Sequence, residues 1–143
     1  MTAGLLRRLG ALFYDSLLLA ALLMVLTACF LPLTGGEAID ATANPLLEWV
    51  YRAVLLAAVA LYFGIPWTRR GQTLGMVAWR LRLERDDGSL PRWPDVPKRL
   101  AAATLSLLPA GLGWWWMLVD RERLAWHDRL SGTRVVLVPP RGR

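Results

Sequence analysis

The sequence predicts an all-α integral membrane protein: a two-helix transmembrane hairpin, a third broken apolar segment that either re-enters or spans, and a small cytoplasmic β-hairpin or sheet cap. Three observations carry this prediction. The 143 residues are 55% hydrophobic with a mean hydropathy of +0.37, which suits a small membrane protein better than a soluble domain of this size. Apolar runs at 9–33, 46–66 and 100–119 each supply about the twenty residues that cross roughly 30 Å of hydrocarbon as a helix. Finally, the basic residues are distributed unevenly between those runs.

The first run contains one charged residue, Asp15, with Arg8 at its entrance. A carboxylate at the centre of a bilayer costs roughly 2.5–3.5 kcal/mol on insertion scales, and less near the edge, so Asp15 needs a partner, a proton or a water path. Seven positions correspond to about 700° of helical rotation, which sets Arg8 and Asp15 on one face two turns apart. That spacing predicts pairing through an intermediate residue or water, with Arg8 reaching toward the head groups. Asp15 then has two readings. It is an exchangeable proton or cation site, or a packing anchor bonded to an arginine such as Arg99 or to backbone groups of another segment. The same region also reads as a lipoprotein signal, with Arg7-Arg8, a leucine-rich core and the tetrapeptide Leu26-Thr27-Ala28-Cys29. Its apolar region is longer than such signals use, and they avoid a charge like Asp15. Cys29 is the single cysteine, so no intrachain disulfide or paired-thiol metal site forms.

Between the first two runs stand Glu37 and Asp40 and no basic residue, whereas 67–99 carries Arg69, Arg70, Arg80, Arg82, Arg85, Arg92, Lys98 and Arg99. The positive-inside rule therefore makes the first two runs a hairpin with both ends, and the N-terminus, in the cytoplasm. Within the second run Glu48 and Arg52 are spaced i, i+4, an ordinary helical ion pair near the outer end. The arginine can snorkel outward, and antiparallel geometry keeps it away from Asp15. An outer gate is the sharper reading of this pair.

The third run is broken by Pro109-Ala110-Gly111-Leu112-Gly113. Its downstream tail is again basic, with Arg121, Arg123, Arg129, Arg134, Arg141 and Arg143, which argues for a cytoplasmic C-terminus. A re-entrant hairpin satisfies both observations; a full third span satisfies the length. Trp114-Trp115-Trp116 suits an interfacial belt in either case. The cytoplasmic polar segments are 67–99 and 120–143. In the first, Trp79–Arg85 alternates with period two and is followed by the turn Asp86-Asp87-Gly88. In the second, Thr133–Val138 is β-prone and ends at Pro139-Pro140. Pairing the two gives a small sheet beneath the membrane domain.

A formal charge of +6, split by long apolar runs, points to the bilayer and its anionic head groups as partners and away from nucleic acid. One histidine, His127, beside Asp128 is too few ligands for a metal centre, and no cofactor motif or catalytic triad is present, so an enzyme is not expected.

Three ordered motifs resemble the RDD family of bacterial membrane proteins: Arg8 to Asp15, then Gly71-Gln72-Thr73-Leu74-Gly75 after the second run, then Trp126 to Val136 with Asp128 as a second aspartate. The resemblance extends over most of the chain and implies one membrane domain over 1–143, a bacterial inner-membrane location and Arg8, Asp15 and Asp128 as family positions. Arg52 in the second run and the proline-glycine break of the third depart from the family pattern. For the Gly71–Gly75 turn, close backbone packing is the plain reading, and an anion site of exposed amides beside Arg69 and Arg70 the sharper one. Asp128 is expected to bond a guanidinium or cap backbone amides, holding the tail against that turn. Function divides between an ion or small-solute transporter, for instance a proton-coupled cation exchanger working through Asp15, and a non-transporting accessory or scaffold subunit. A chain this short hardly encloses a solute path alone, so transport implies a homo-oligomer or a larger membrane complex.

Overall fold

A computed structural model describes residues 2–36, 44–109, 111–122 and 124–139. Glu37, Asp40, Ala110, Arg123, Pro140, Arg141 and Arg143, used in the charge and break arguments above, lie outside the described residues.

Helix α1 (Leu5–Phe30) continues into a 3-10 turn (Leu31–Thr34). Helix α2 (Pro45–Arg70) opens with Pro at its first position and with the Asn44 side chain accepting from the Leu47 amide at 3.1 Å, a conventional cap. These two helices are long and apolar enough to cross a membrane. They run antiparallel: the Thr27 and Tyr51 hydroxyls meet at 2.9 Å near one end, and Tyr62 reaches Asp15 near the other. The second helix does not stop at Pro66 as the apolar run suggested. It continues to Arg70, where Gly71 takes the left-handed conformation (φ 71°) and its N–H bonds the Trp67 carbonyl, the usual glycine termination. A proline lacks one amide and leaves one carbonyl of the preceding turn unmatched, which the following turns tolerate here.

The remaining chain folds against the α1 N-terminal end and the α2 C-terminal end. It comprises α3 (Leu74–Ala78), β1 (Leu81–Arg85), α4 (Asp95–Leu107), α5 (Leu112–Trp115), a 3-10 turn (Trp116–Leu118), α6 (Trp126–Ser131) and β2 (Thr133–Leu137). The two strands pair antiparallel, Leu81 with Leu137 through Arg85 with Thr133, so the sheet joins segments distant in sequence and is no hairpin. The Asp86-Asp87-Gly88 turn forms, with the Asp87 carboxylate accepting from the Ser89 amide at 2.8 Å, but it leads toward α4. On the other edge of β2 the N-terminal arm adds a bridge at Thr2–Val136 and a bond from the Ala3 N–H to the Val135 carbonyl. Alternation puts Leu81, Leu83 and Val135 inward, where they join Ala3, Ala11, Trp67, Met76 and Val96 in the core.

The third apolar run is not one helix. Its first part completes the amphipathic α4, 13 residues long and so about 20 Å, and the chain then breaks at Pro109 and Gly111 (φ 75°) before the short α5. Burial on α4 follows a helical stripe, Val96, Arg99, Ala102 and Ser106, facing the cap. Of the tryptophan triplet, Trp114 packs inward on His127 while Trp115 and Trp116 are exposed.

On α1 the only buried residues are Arg8, Ala11 and Asp15, one face of its first three turns; from Ser16 to Phe30 none is buried. On α2 the buried pair is Gly64 and Trp67, close to the other end. The cap therefore grips only the near ends of the two long helices.

Candidate functional site

Asp15 sits under the α2–α3 turn. Its Oδ1 accepts from the Tyr62 hydroxyl at 2.9 Å and the Gly75 amide at 3.0 Å, and its Oδ2 accepts from the Thr73 hydroxyl at 2.5 Å. Each residue of the turn has a local task. Gly71 reverses the chain, and its carbonyl accepts from the Leu83 amide. Gln72 donates to the Leu81 carbonyl at 2.6 Å. Thr73 caps α3 by accepting from the Met76 amide while donating to Asp15. Gly75 lies so close to α1 that a Cβ there would collide with the Ala11 carbonyl and stand 2.8 Å from the Asp15 carboxyl carbon. Of the turn's amides only that of Gly75 donates to a carboxylate, that of the chain's own Asp15, and Arg69 and Arg70 take no part; the close approach of Gly75 to α1 is the packing reading of its glycines.

Arg8 does not approach Asp15 or point to the surface. Its side chain is buried, with Nη1 on Asp128 Oδ2, Nε on the Ala3 carbonyl at 3.1 Å and Nη2 on the Val135 carbonyl at 3.3 Å. Arg99, considered as a partner for Asp15, instead donates to Asp128 Oδ1 at 2.8 Å and to the Thr133 hydroxyl at 2.5 Å. Asp128 also accepts from the Ala125 amide at 3.2 Å, closing the first turn of α6. Asp128 is thus both guanidinium partner and amide cap, but its partners stand on α1, on α4 and at the start of α6, so it ties the tail to those helices and not to the Gly71–Gly75 turn as expected. Helical phase explains the divergence of Arg8 and Asp15: they share a face, but two turns separate them, and different cap elements fill the two levels.

Burial alone would raise the Asp128 carboxyl, but Arg99 and Arg8 outweigh it and hold the group down at about 2. His127 behind it is pushed down to about 3 by burial and then by the Arg99 charge, so it is neutral. Tyr62, Ser131 and Thr133 were not singled out from sequence. A tyrosine in an apolar run and two hydroxyls near a strand give no periodic signal, and only the antiparallel fit of α1 on α2 brings Tyr62 to Asp15.

Glu48 and Arg52 form their expected ion pair, with Arg52 also over the Trp49 ring at 5.6 Å. Ten residues separate Arg52 from Tyr62 on α2, about 15 Å, so the pair stands apart from Asp15. Among the described residues no group of three or more potential metal ligands occurs.

Between the two polar levels lies a cavity of about 240 Å³, lined from α1 by Arg8, Leu12 and Asp15, from α2 by Phe63 and Trp67, and from α4 by Arg99 and Leu107 among others. Its wall is mainly apolar, with Arg8, Asp15, Thr73, Arg99, Thr104 and His127 as its polar members. The arrangement ties α1, α2, the α2–α3 turn, α4, α6 and β2 together; every oxygen of the Asp15 and Asp128 carboxylates is occupied by a fixed donor.

No curated protein and no solved structure matches this chain. The RDD family model matches residues 2–132, a span that takes in the Arg8–Asp15 helix, the Gly71–Gly75 turn and Asp128, and the chain belongs to the RDD family.

Proposed function

We propose that this protein is a bilayer-embedded accessory or scaffold subunit rather than a carrier working through Asp15. The observation that carries this reading is the saturation of the family carboxylates: Asp15 holds three donors and Asp128 holds two guanidiniums and an amide. An exchanging cation would have to displace the turn that covers Asp15 and enter a space walled by Arg8 and Arg99, where like charge repels it.

The distribution of exposure supports embedding. Beyond the cap, α1 and the 3-10 turn after it present Ser16 to Thr34, about 30 Å at 1.5 Å per α-helical and 2.0 Å per 3-10 residue, close to the hydrocarbon thickness. Leu17, Leu18, Leu22, Met24 and Val25 are exposed there. Asp15 then lies where α1 leaves the cap, at the membrane edge, and its desolvation cost is met by protein donors. The arginine-rich cap faces the cytoplasm of a bacterial inner membrane on the positive-inside argument, with α4 and the exposed Trp115 and Trp116 at the interface as a re-entrant or surface-lying element. The exposed apolar faces serve association with further copies or with a larger membrane complex. Cleavage ahead of Cys29 would remove Arg8 and Asp15 from this cluster, so we place Cys29 within the retained helix.

Proteoliposomes test the reading. With a pH gradient and added Na⁺, K⁺ or Li⁺, wild type and Asp15→Asn should dissipate the gradient equally slowly, while Asp15→Asn lowers the unfolding midpoint in detergent. Rapid ion-dependent collapse, lost in a fully folded Asp15→Asn protein, would establish the carrier instead.

A further inference from the structure

The side of α1 that faces away from the cap carries a pattern of its own. Arg8, Ala11 and Asp15 are buried on one side of its first three turns, and on the opposite side Leu6, Phe13, Leu17 and Met24 form an exposed apolar stripe, successive members standing seven, four and seven positions apart. The stripe begins at Leu6, which is 82% exposed and stands about 14 Å before Asp15 along the helix. Surface suited to hydrocarbon therefore extends further down this side of α1 than down the side held by the cap. At its lower end lies a cavity of about 960 Å³ between the first turns of α1 and the segment after α5, with Leu6, Met117, Leu118 and Leu137 on its apolar wall and Arg7 and Arg121 as its cations. Both arginines are exposed, and among the described residues neither guanidinium has a hydrogen bond or ion pair. The acids beside Arg121 are turned elsewhere: Asp120 accepts from Arg129 at 2.7 Å, and Glu122, the acid on the cavity wall, stands 3.5 Å from the same guanidinium. Two unpaired positive charges thus stand at the foot of an apolar stripe.

A ligand that satisfies both features carries an anion next to a hydrocarbon chain. An acidic peptide or a nucleic acid would meet the arginines and leave the stripe in water, and a zwitterionic lipid would cover the stripe but bring a cation of its own to the arginines. We infer that one anionic phospholipid binds here, its phosphate bridged by Arg7 and Arg121 and one acyl chain lying over Leu6 and Phe13 toward the hydrocarbon around Leu17. Planar guanidiniums match phosphate oxygens in a fork of paired donors. The start of α1 adds to the field, since it has neither a side-chain cap nor an acid in its first turn and leaves the positive end of the helix dipole unopposed. The general attraction of a basic chain to anionic head groups becomes, by this assignment, a single site. The inference rests on the embedding of the protein in a bilayer and is independent of whether it moves ions.

The test uses the full chain in detergent micelles, titrated with palmitoyl-oleoyl phosphatidylglycerol and separately with phosphatidylcholine of the same chains, bound lipid being counted by native mass spectrometry. A first phosphatidylglycerol that binds well ahead of a second, and about tenfold more tightly than phosphatidylcholine, is expected. Arg7→Gln and Arg121→Gln should each weaken that first binding about tenfold, the scale of one charge-assisted hydrogen bond. Arg92→Gln removes the same charge from an exposed arginine outside the cavity and should leave the binding unchanged. Excess glycerol phosphate, a head group without chains, should not displace the lipid. Equal loss in Arg92→Gln, equal binding of the two lipids, or displacement by glycerol phosphate would overturn the inference. Flotation of wild type and variants with liposomes separates this from the reading beneath it: protein that inserts but does not discriminate between the lipids overturns the site alone, whereas protein that fails to insert overturns the embedding and the site with it.

Discussion

Asp128 is where one side-chain change should cost most. Neutralising it leaves Arg8 and Arg99 buried without their counter-charge, and removal of one member of such a buried network costs about 3–5 kcal/mol. Asp128→Asn should therefore lower the denaturation midpoint far more than removal of the exposed Glu122 partner of Arg129, whose ion pair contributes about 0–1 kcal/mol. Acid tests the same cluster, in two windows. His127 takes a proton near 6.5 when unfolded but only near about 3 when folded, because burial and Arg99 oppose it. The unfolded chain thus binds more protons between those values, and stability falls as pH drops from 6.5 toward 3. Asp128, held down at about 2 against 3.8, contributes stability that is intact above 3.8 and lost as pH falls through 2. Denaturation midpoints measured from pH 7 to 4 should decline in wild type, and His127→Gln should flatten that decline; an unchanged slope would remove His127 from the account.

The elements show how local rules and packing divide the work. The α2–α3 turn needs Gly71 for its left-handed backbone and Gly75 for close approach to α1, whose Ala11 carbonyl leaves no space for a methyl group. Overpacking of this kind costs about 1–3 kcal/mol. Gly75→Ala should reproduce the instability of Asp15→Asn, and the double variant should be less destabilised than the sum, since both changes break one contact. Additive losses would show that the turn and the carboxylate act separately. The sheet is held by side-chain ties as well: Arg8 reaches the Val135 carbonyl and Gln72 the Leu81 carbonyl, so α1 and the turn secure a strand each.

At the scale of the molecule, two long helices emerge from a cap that holds only their near ends. Their exposed apolar lengths and the placement of arginines in the cap set the expected orientation. In a Cys29→Ser background, Ser89→Cys in the cap should resist a membrane-impermeant maleimide in intact cells and react after permeabilisation. Thr42→Cys, between the two long helices, should react in both. The reverse pattern would invert the topology.

The sequence by itself determined the two long helices, the break after α4, both strands and the three family motifs, because each depends on local chemistry: apolar length, proline and glycine backbone limits, and period-two alternation. It also singled out Arg8, Asp15 and Asp128, all three of which are buried. Only the tertiary structure decided their partners. Helical phase put Arg8 and Asp15 on one face, yet a two-turn separation let different segments occupy the two levels, giving Arg8 to Asp128 and Asp15 to Tyr62, Thr73 and Gly75. Those contacts join residues 47 to 120 positions apart, and no local pattern encodes which of many arginines and hydroxyls will fill a given buried site. That choice follows from how the cap closes over the helix ends, where each buried charge must find a partner that reaches it.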